Sequence, residues 1–255
     1  MKPKVGVFSF TGCEGCQLQI LECEDELLSI LSLIDLVVFR EAMDKISDDY
    51  AIALIDGGIT HPSEIERIKK IREQASVLIT IGSCASIGGI NCMKNQFAKE
   101  DVMEYVYGDK ASYFDTIAAR PVDAVVPVDY YVYGCPATKT ELVHVVQSLL
   151  MGLKPRIPSY PVCTECKLRE NVCMFDKGKT CLGPIIRAGC NAECTSYGHP
   201  CEGCRGLVDD PNTNSHKDVL QKAGLTVEQL MQNMTMFCSY QLEQLEKAPS
   251  EIENE

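Results

Sequence analysis

The stretch TGCEGCQ sets Cys13 and Cys16 with two residues between them, where an apolar run gives way to the start of a helix. Thiols at that spacing suit a redox disulfide, half of a zinc site or half of an iron–sulfur site. Two more cysteines close strand-like runs: Cys84 ends VLITIGSC and Cys135 ends YYVYGC. Further along, Cys163, Cys166, Cys173, Cys181, Cys190, Cys194, Cys201 and Cys204 crowd into residues 158–206. Fifteen cysteines in 255 residues is far above ordinary usage, and the compartment decides what so many thiols do.

The chain begins MKPKVGVFSF, which does not read as a secretory leader. No run of about 18 apolar residues marks a membrane span. Both readings point to a reducing cytoplasm, where thiolates go to metal rather than to a disulfide framework. A formal net charge of −12 argues against nucleic-acid binding, which needs a basic face. Half of that excess lies in residues 206–255, which hold 3 basic and 9 acidic residues. The length suits one large domain and a smaller one, and a 45% hydrophobic content supplies a core.

The elements that must position the first four cysteines lie in residues 1–157. KVGVFSF, DLVVF, YAIALIDGG and SVLITIGSC are unbroken apolar runs of the kind buried in parallel sheets. PSEIERIKKIREQA between the last two is an amphipathic helix opened by Pro62 and Ser63. EGCQLQILECEDELLSIL spaces Leu18, Leu21, Leu27, Leu28 and Leu31 as one helix. AVVPVDYYVYGC is a further strand, with Pro127 making its first half irregular or an edge. The helix TKTELVHVVQSLLMGL follows, ended by Gly152 and Pro155. Alternating strands and helices predict an α/β fold with an open, mostly parallel sheet. Residues 158–206 show almost no apolar periodicity, so metal is expected to hold them together in place of a core. Residues 207–255 read as helical, with Thr226 and Gln229 as a capping box, Gly224 as a stop before it, and an acidic tail from 249.

On that sheet Cys13, Cys16, Cys84 and Cys135 all fall at carboxyl ends of strands, where open α/β sheets build their sites. Four thiolates from three crossover loops make a closed set, and Gly12, Gly15, Gly82, Gly88, Gly89 and Gly134 allow close backbone approach. The eight later cysteines divide into two sets, either the first four and the last four or interleaved. Zinc ribbons carry two CxxC knuckles, and Cys13–Cys16 lacks the second; a disulfide there leaves Cys84 and Cys135 unexplained. Iron–sulfur ligation accounts for all twelve, leaving Cys23, Cys92 and Cys238 over. No GxGxxG follows a strand and no P-loop is present, so a conducting role is expected rather than a nucleotide site.

TGCEGCQ, IGSCASIGG, YGCPATKTEL and the block CTECKLRENVC…CLGPIIRAGCNAECTSYGHPCEGCRG resemble, in that order, the small subunit of a cytoplasmic nickel–iron hydrogenase. The resemblance covers residues 4–206, and the eight-cysteine block is most similar to the sulfhydrogenase, or NAD(P)-linked, type. It implies a flavodoxin-like domain over residues 1–157, an iron–sulfur domain over 158–206 and a C-terminal helical segment over 207–255. It also implies three 4Fe–4S clusters: proximal on Cys13, Cys16, Cys84 and Cys135, medial on Cys190, Cys194, Cys201 and Cys204, distal on Cys163, Cys166, Cys173 and Cys181. Exported relatives often have a proline near Cys194 and a 3Fe–4S medial cluster, so Cys194 implies 4Fe–4S. The implied partners are the large subunit carrying nickel and iron, a diaphorase or flavin subunit and additional iron–sulfur subunits. No twin-arginine leader or membrane anchor is evident. Other members of the resemblance are F420-linked and heterodisulfide-reductase-linked hydrogenases, a hydrogen-sensing regulator, and the one-cluster subunit of respiratory complex I, which lacks the eight-cysteine block.

Glu14, between two proximal cysteines, is a candidate proton relay or a polar contact to the large subunit. His199 in GHPC is expected as a bystander, since cysteines fill both later sets. Cys23, Cys92 and Cys238 are expected as small buried hydrophobes, and Met231, Met234 and Met236 as packing.

Overall fold

The computed structural model describes residues 2–211, 218, 219, 222, 224 and 226–247. In chain order the elements are β1 (Lys4–Ser9), α1 (Gly15–Leu21), α2 (Glu24–Leu31), β2 (Asp35–Phe39), β3 (Ile52–Asp56), α3 (Pro62–Gln74), β4 (Val77–Ile81) and α4 (Gly82–Ile87). They continue through α5 (Lys99–Tyr107), β5 (Tyr130–Val132), α6 (Lys139–Leu150), α7 (Val162–Leu168), α8 (Glu193–Ser196) and α9 (Val227–Lys247). Each strand pairs in parallel with its neighbours, in the order β2-β1-β3-β4-β5. That is the flavodoxin order, with its reversal between β1 and β3. The stretch around Pro127 is irregular and precedes β5, and β5 lies at a sheet edge.

The period of two along each strand sends alternate residues to opposite faces. Phe8, Ala53, Ile55 and Leu78 meet Ile68 and Ile71 of α3 on one face. Val5, Val7, Leu54, Ile79 and Ile81 meet Ile20, Ile30, Leu142 and Val145 on the other. Helix α3 begins at Pro62, and its N-cap is His61, whose ring accepts the Ser63 N–H while Glu64 accepts the His61 N–H.

Two expectations change. The single helix over Leu18 to Leu31 is broken into α1 and α2, with Glu24 at a φ of 43°. Glu22 and Glu26 would be like charges one turn apart in a continuous helix; the break instead lets Glu26 reach Lys139 at 3.3 Å. The buried positions include Cys16, Gln17, Ile20, Cys23 and Ile30, while Leu18 and Leu28 are 47% and 68% exposed.

Residues 158–206 also have a hydrophobic core after all. Val162, Met174, Leu182, Ile185 and Ile186 pack against Leu230, Met234, Phe237 and Cys238 of α9, and Ile87 of α4 joins them. The α9 residues recur at helical spacing, so the core is borrowed from the next segment rather than built locally. Burying each large aliphatic or aromatic side chain contributes about 1.5–3 kcal/mol. The expected capping box is present: Gln229 donates its N–H to Thr226 Oγ1, and Thr226 its own to Gln229 Oε1, at 3.2 and 3.1 Å. Gly224 has a φ of +71°, as a helix stop requires. The expected acidic tail from 249 lies outside the described residues. Among the described residues no helix is long and apolar enough to cross a membrane.

Candidate iron–sulfur sites

Three loops at the carboxyl edge of the sheet bring the first set together. Cys13 lies in the loop after β1 and Cys16 in the first turn of α1, with Glu14 between them at a φ of 63°. Ser9 Oγ donates to Glu14 Oε1 at 2.9 Å, which ties the half-buried carboxylate to the strand end. Cys84 sits in α4, which starts directly from β4 at Gly82. Cys135 follows Gly134, whose carbonyl accepts the Ser83 N–H at 2.7 Å, so the β4 and β5 loops are joined. Gly82 has a φ of +82°, and a Cβ there would run into Cys16 Sγ.

Burial and neighbouring charge raise three of these thiols. Burial pushes the Cys84 thiol up to about 12, and Cys135, Asp56 and Cys13 add to the shift. Cys16 is raised by burial first, then by Asp56, with Cys84 and Cys135 contributing. Cys135 is raised by burial, then by Cys13. Four thiolates so placed repel one another unless a cationic group lies among them, which is the demand an iron–sulfur cluster meets. Cys16 accepts the Ala137 N–H, a bond that favours its anionic form. Cys16 is buried, whereas Cys13 and Cys135 are exposed, so this set opens to the molecular surface.

Cys190, Cys194, Cys201 and Cys204 line one cavity of about 820 Å³, into which Cys135 also faces. Burial lifts the Cys204 thiol to about 12, with Cys190 and Cys194 adding to it. Cys201 is raised by burial, with Cys181, Cys204 and Cys190 as charged neighbours. The remaining four cysteines also form one group. Cys163 is pushed up to about 12 by burial and by Cys181, Cys166 and Cys173. Cys163 and Cys166 lie on α7, and a Cβ at Gly183 would come 3.3 Å from Cys163 Sγ and 3.5 Å from Cys181 Sγ. Glu165 of α7 accepts N–H bonds from Gly189 and Ala192 at 2.8 and 3.1 Å, anchoring this helix to the loop carrying Cys190.

The three sets touch in sequence. The Ser83 hydroxyl, next to Cys84, donates to the Cys204 carbonyl. The Cys201 N–H bonds Cys181 Sγ at 3.2 Å. Among the described residues no three His, Cys, Asp or Glu side chains are placed to hold a single metal ion. His199 is exposed, and its backbone N–H bonds the Cys194 carbonyl. Cys23, Cys92 and Cys238 are buried, as hydrophobes would be.

Two features have no clear signature in the sequence. Asp56, 4% exposed at the end of β3, lies against Cys16 and accepts from Gln17 Nε2 at 3.3 Å. An acid closing the apolar run IALID was the available signal. The other is Arg205, 1% exposed beside Cys204, whose partner Glu141 sits in a helix pattern that gives no hint of it.

The chain thus joins a flavodoxin-order sheet with cysteines at its carboxyl edge to a cysteine-rich block. A family model described as NADH ubiquinone oxidoreductase, 20 Kd subunit, matches residues 13–149, which contain the whole first set. Sulfhydrogenase 2 subunit delta of Pyrococcus furiosus is 34% identical, covering 93% of this chain and 100% of its own. A vhu-type F420-non-reducing hydrogenase subunit of Methanocaldococcus jannaschii is 33% identical, covering 87% and 88%. A crystal structure of an NAD+-reducing [NiFe]-hydrogenase in its H2-reduced state contains a chain similar at a TM-score of 0.57 and 25% identity, covering 62% of this chain and 96% of that one. The chain belongs to the 20 kDa subunit family, as a nickel–iron hydrogenase small subunit. Small subunits of this family carry iron–sulfur clusters, and the catalytic metal site lies on the large subunit.

Proposed function

We propose that this chain relays electrons through three 4Fe–4S clusters in a cytoplasmic nickel–iron hydrogenase. The relay would run between the large subunit and a flavin- or nucleotide-binding partner with further iron–sulfur subunits. Cys13, Cys16, Cys84 and Cys135 would hold the proximal cluster, Cys190, Cys194, Cys201 and Cys204 the medial one, and Cys163, Cys166, Cys173 and Cys181 the distal one. Each cluster, when bound, supplies a site that takes up and returns an electron. The chain's own residues supply the order.

The observation that supports this reading is a pair of hydrogen bonds between sets. The Ser83 hydroxyl, beside Cys84, donates to the Cys204 carbonyl, and the Cys201 N–H donates to Cys181 Sγ, which favours a medial set between the other two. Division into the first four and the last four of the later cysteines is supported by the same neighbours, since Cys163 is flanked by Cys166, Cys173 and Cys181. Exposed Cys13, Cys135 and Leu18 mark the end assigned to the large subunit. Glu14 belongs to that rim and is assigned to the partner contact rather than to a proton relay.

Similarity to sulfhydrogenase subunit delta favours sulfur as the eventual acceptor, and similarity to a chain of an NAD+-reducing hydrogenase favours a nicotinamide. The nearly equal similarity to a subunit of an F420-non-reducing hydrogenase speaks against F420 as that acceptor. The test is turnover. The purified complex is expected to take up H2 with viologen dyes, and this polypeptide alone to show none. Uptake by the isolated chain overturns the placement of the catalytic centre, and a complex that binds H2 without dye turnover is a sensor instead.

A further inference from the structure

One buried side chain sits where the first two cysteine sets meet. Arg205 follows Cys204 directly and is 1% exposed. Its Nε donates to the Ala188 carbonyl at 2.7 Å, two residues before Cys190. Its Nη1 donates to the Tyr133 carbonyl at 2.9 Å, two residues before Cys135. Its Nη2 donates to Glu141 Oε1 at 2.6 Å, and Glu141 Oε2 accepts the Tyr133 N–H at 3.2 Å. Gly189 makes room for this arrangement: it has a φ of +113°, and a Cβ there would run into the guanidinium and lie 2.9 Å from Glu141 Oε1. One rigid planar group therefore ties a loop of the first set to two loops of the second, which a lysine's single ammonium cannot reproduce.

Stability alone is a poor reason to bury such a pair, because well-packed apolar residues of similar volume often serve as well or better. What an apolar replacement cannot supply is a permanent charge. The guanidinium belongs to the residue after Cys204 and is held between the chain just before Cys190 and the chain just before Cys135, with Glu141 on Nη2.

We propose that Arg205 is a positioning residue of the relay: it fixes the spacing between the proximal and medial cysteine sets and holds a positive charge between the loops that carry Cys135 and Cys190, which favours the reduced medial cluster. The proposal rests on the three-cluster reading above. Glu141 serves as the counterweight that limits the charge effect and locks the fork in place.

The experiment is a redox titration of the purified hydrogenase complex, followed by electron paramagnetic resonance, with iron content measured in parallel. In Arg205→Gln the medial cluster should be more oxidised at a fixed poise by about tenfold in ratio, which is 59 mV for one electron. Glu141→Gln should move the ratio the opposite way. Arg205→Lys should keep most of the ratio but change the magnetic coupling between proximal and medial clusters. If Arg205→Gln loses medial iron while keeping proximal iron, the positioning role is supported; equal loss from all three sets overturns it. Fully loaded variants with unchanged ratio and coupling, or shifts of the same sign in Arg205→Gln and Glu141→Gln, also overturn it. A wild-type complex with no separate medial signal overturns the three-cluster reading instead, and the proposal with it.

Discussion

The sheet domain and the cysteine-rich block solve one problem in opposite ways. In the first, a completed α/β core presents three strand-to-helix junctions, and the cysteines ride on backbone fixed by a strand before and a helix after or around them. In the second, the thiols are themselves part of the packing: Cys181, Cys201 and Cys238 lie in the same cluster as Leu182, Ile186 and Phe237. The first set is a site placed on a fold, while the other two are sites woven into one. Loss of metal should therefore leave the sheet domain standing and loosen the block, whose folding free energy includes ligand binding.

The largest effect should come from removing iron altogether. Hydrogen exchange of the apo chain is expected to stay slow in β1, β3 and β4 and to become fast in residues 162–206. Equal protection in both regions would erase the contrast. Next comes Phe237→Ala, which opens the shared core and should cost about 3–5 kcal/mol. Iron analysis and paramagnetic resonance should then show the medial and distal signals lost before the proximal one. Gly82→Ala does the reverse: a side chain at a φ of +82° is strained by about 1–3 kcal/mol, and its Cβ displaces Cys16. The proximal signal should be lost while the block stays loaded.

Cys194→Pro should change the medial cluster rather than destroy it. Three thiolates remain, and a 3Fe–4S signal is expected in the oxidised variant, with hydrogen evolution slowed more than uptake. An intact 4Fe–4S medial cluster there would mean that Cys194 is not a ligand and the sets must be redrawn. The smallest effect should be Thr226→Ala, which removes the α9 cap and lowers stability by about 0.5–2 kcal/mol without changing any cluster signal.

The two regions also differ in how far they could be read from the sequence. The strands were legible because buried parallel strands are continuous Val, Ile and Leu runs, and the cysteine positions followed from where those runs end. The break between α1 and α2 was not, since Leu18 and Leu28 keep helical spacing while the chain turns at Glu24. The block's core was hidden because half of it lies in α9, some forty residues downstream in a segment read only for its own helix. The Arg205–Glu141 pair was invisible for the same reason: its partners are distant in sequence and meet only when the block docks on β5 and α6. Local pattern reveals local elements; it does not reveal what two of them share.

The central claim is that twelve cysteines form three sets in line, each holding a 4Fe–4S cluster. The most direct measurement is the iron, acid-labile sulfide and zinc content of the purified complex, corrected for the iron on its other subunits by their separate analysis. This chain should account for about twelve iron and twelve sulfide and no stoichiometric zinc. About four iron, or zinc in the block, would contradict the account.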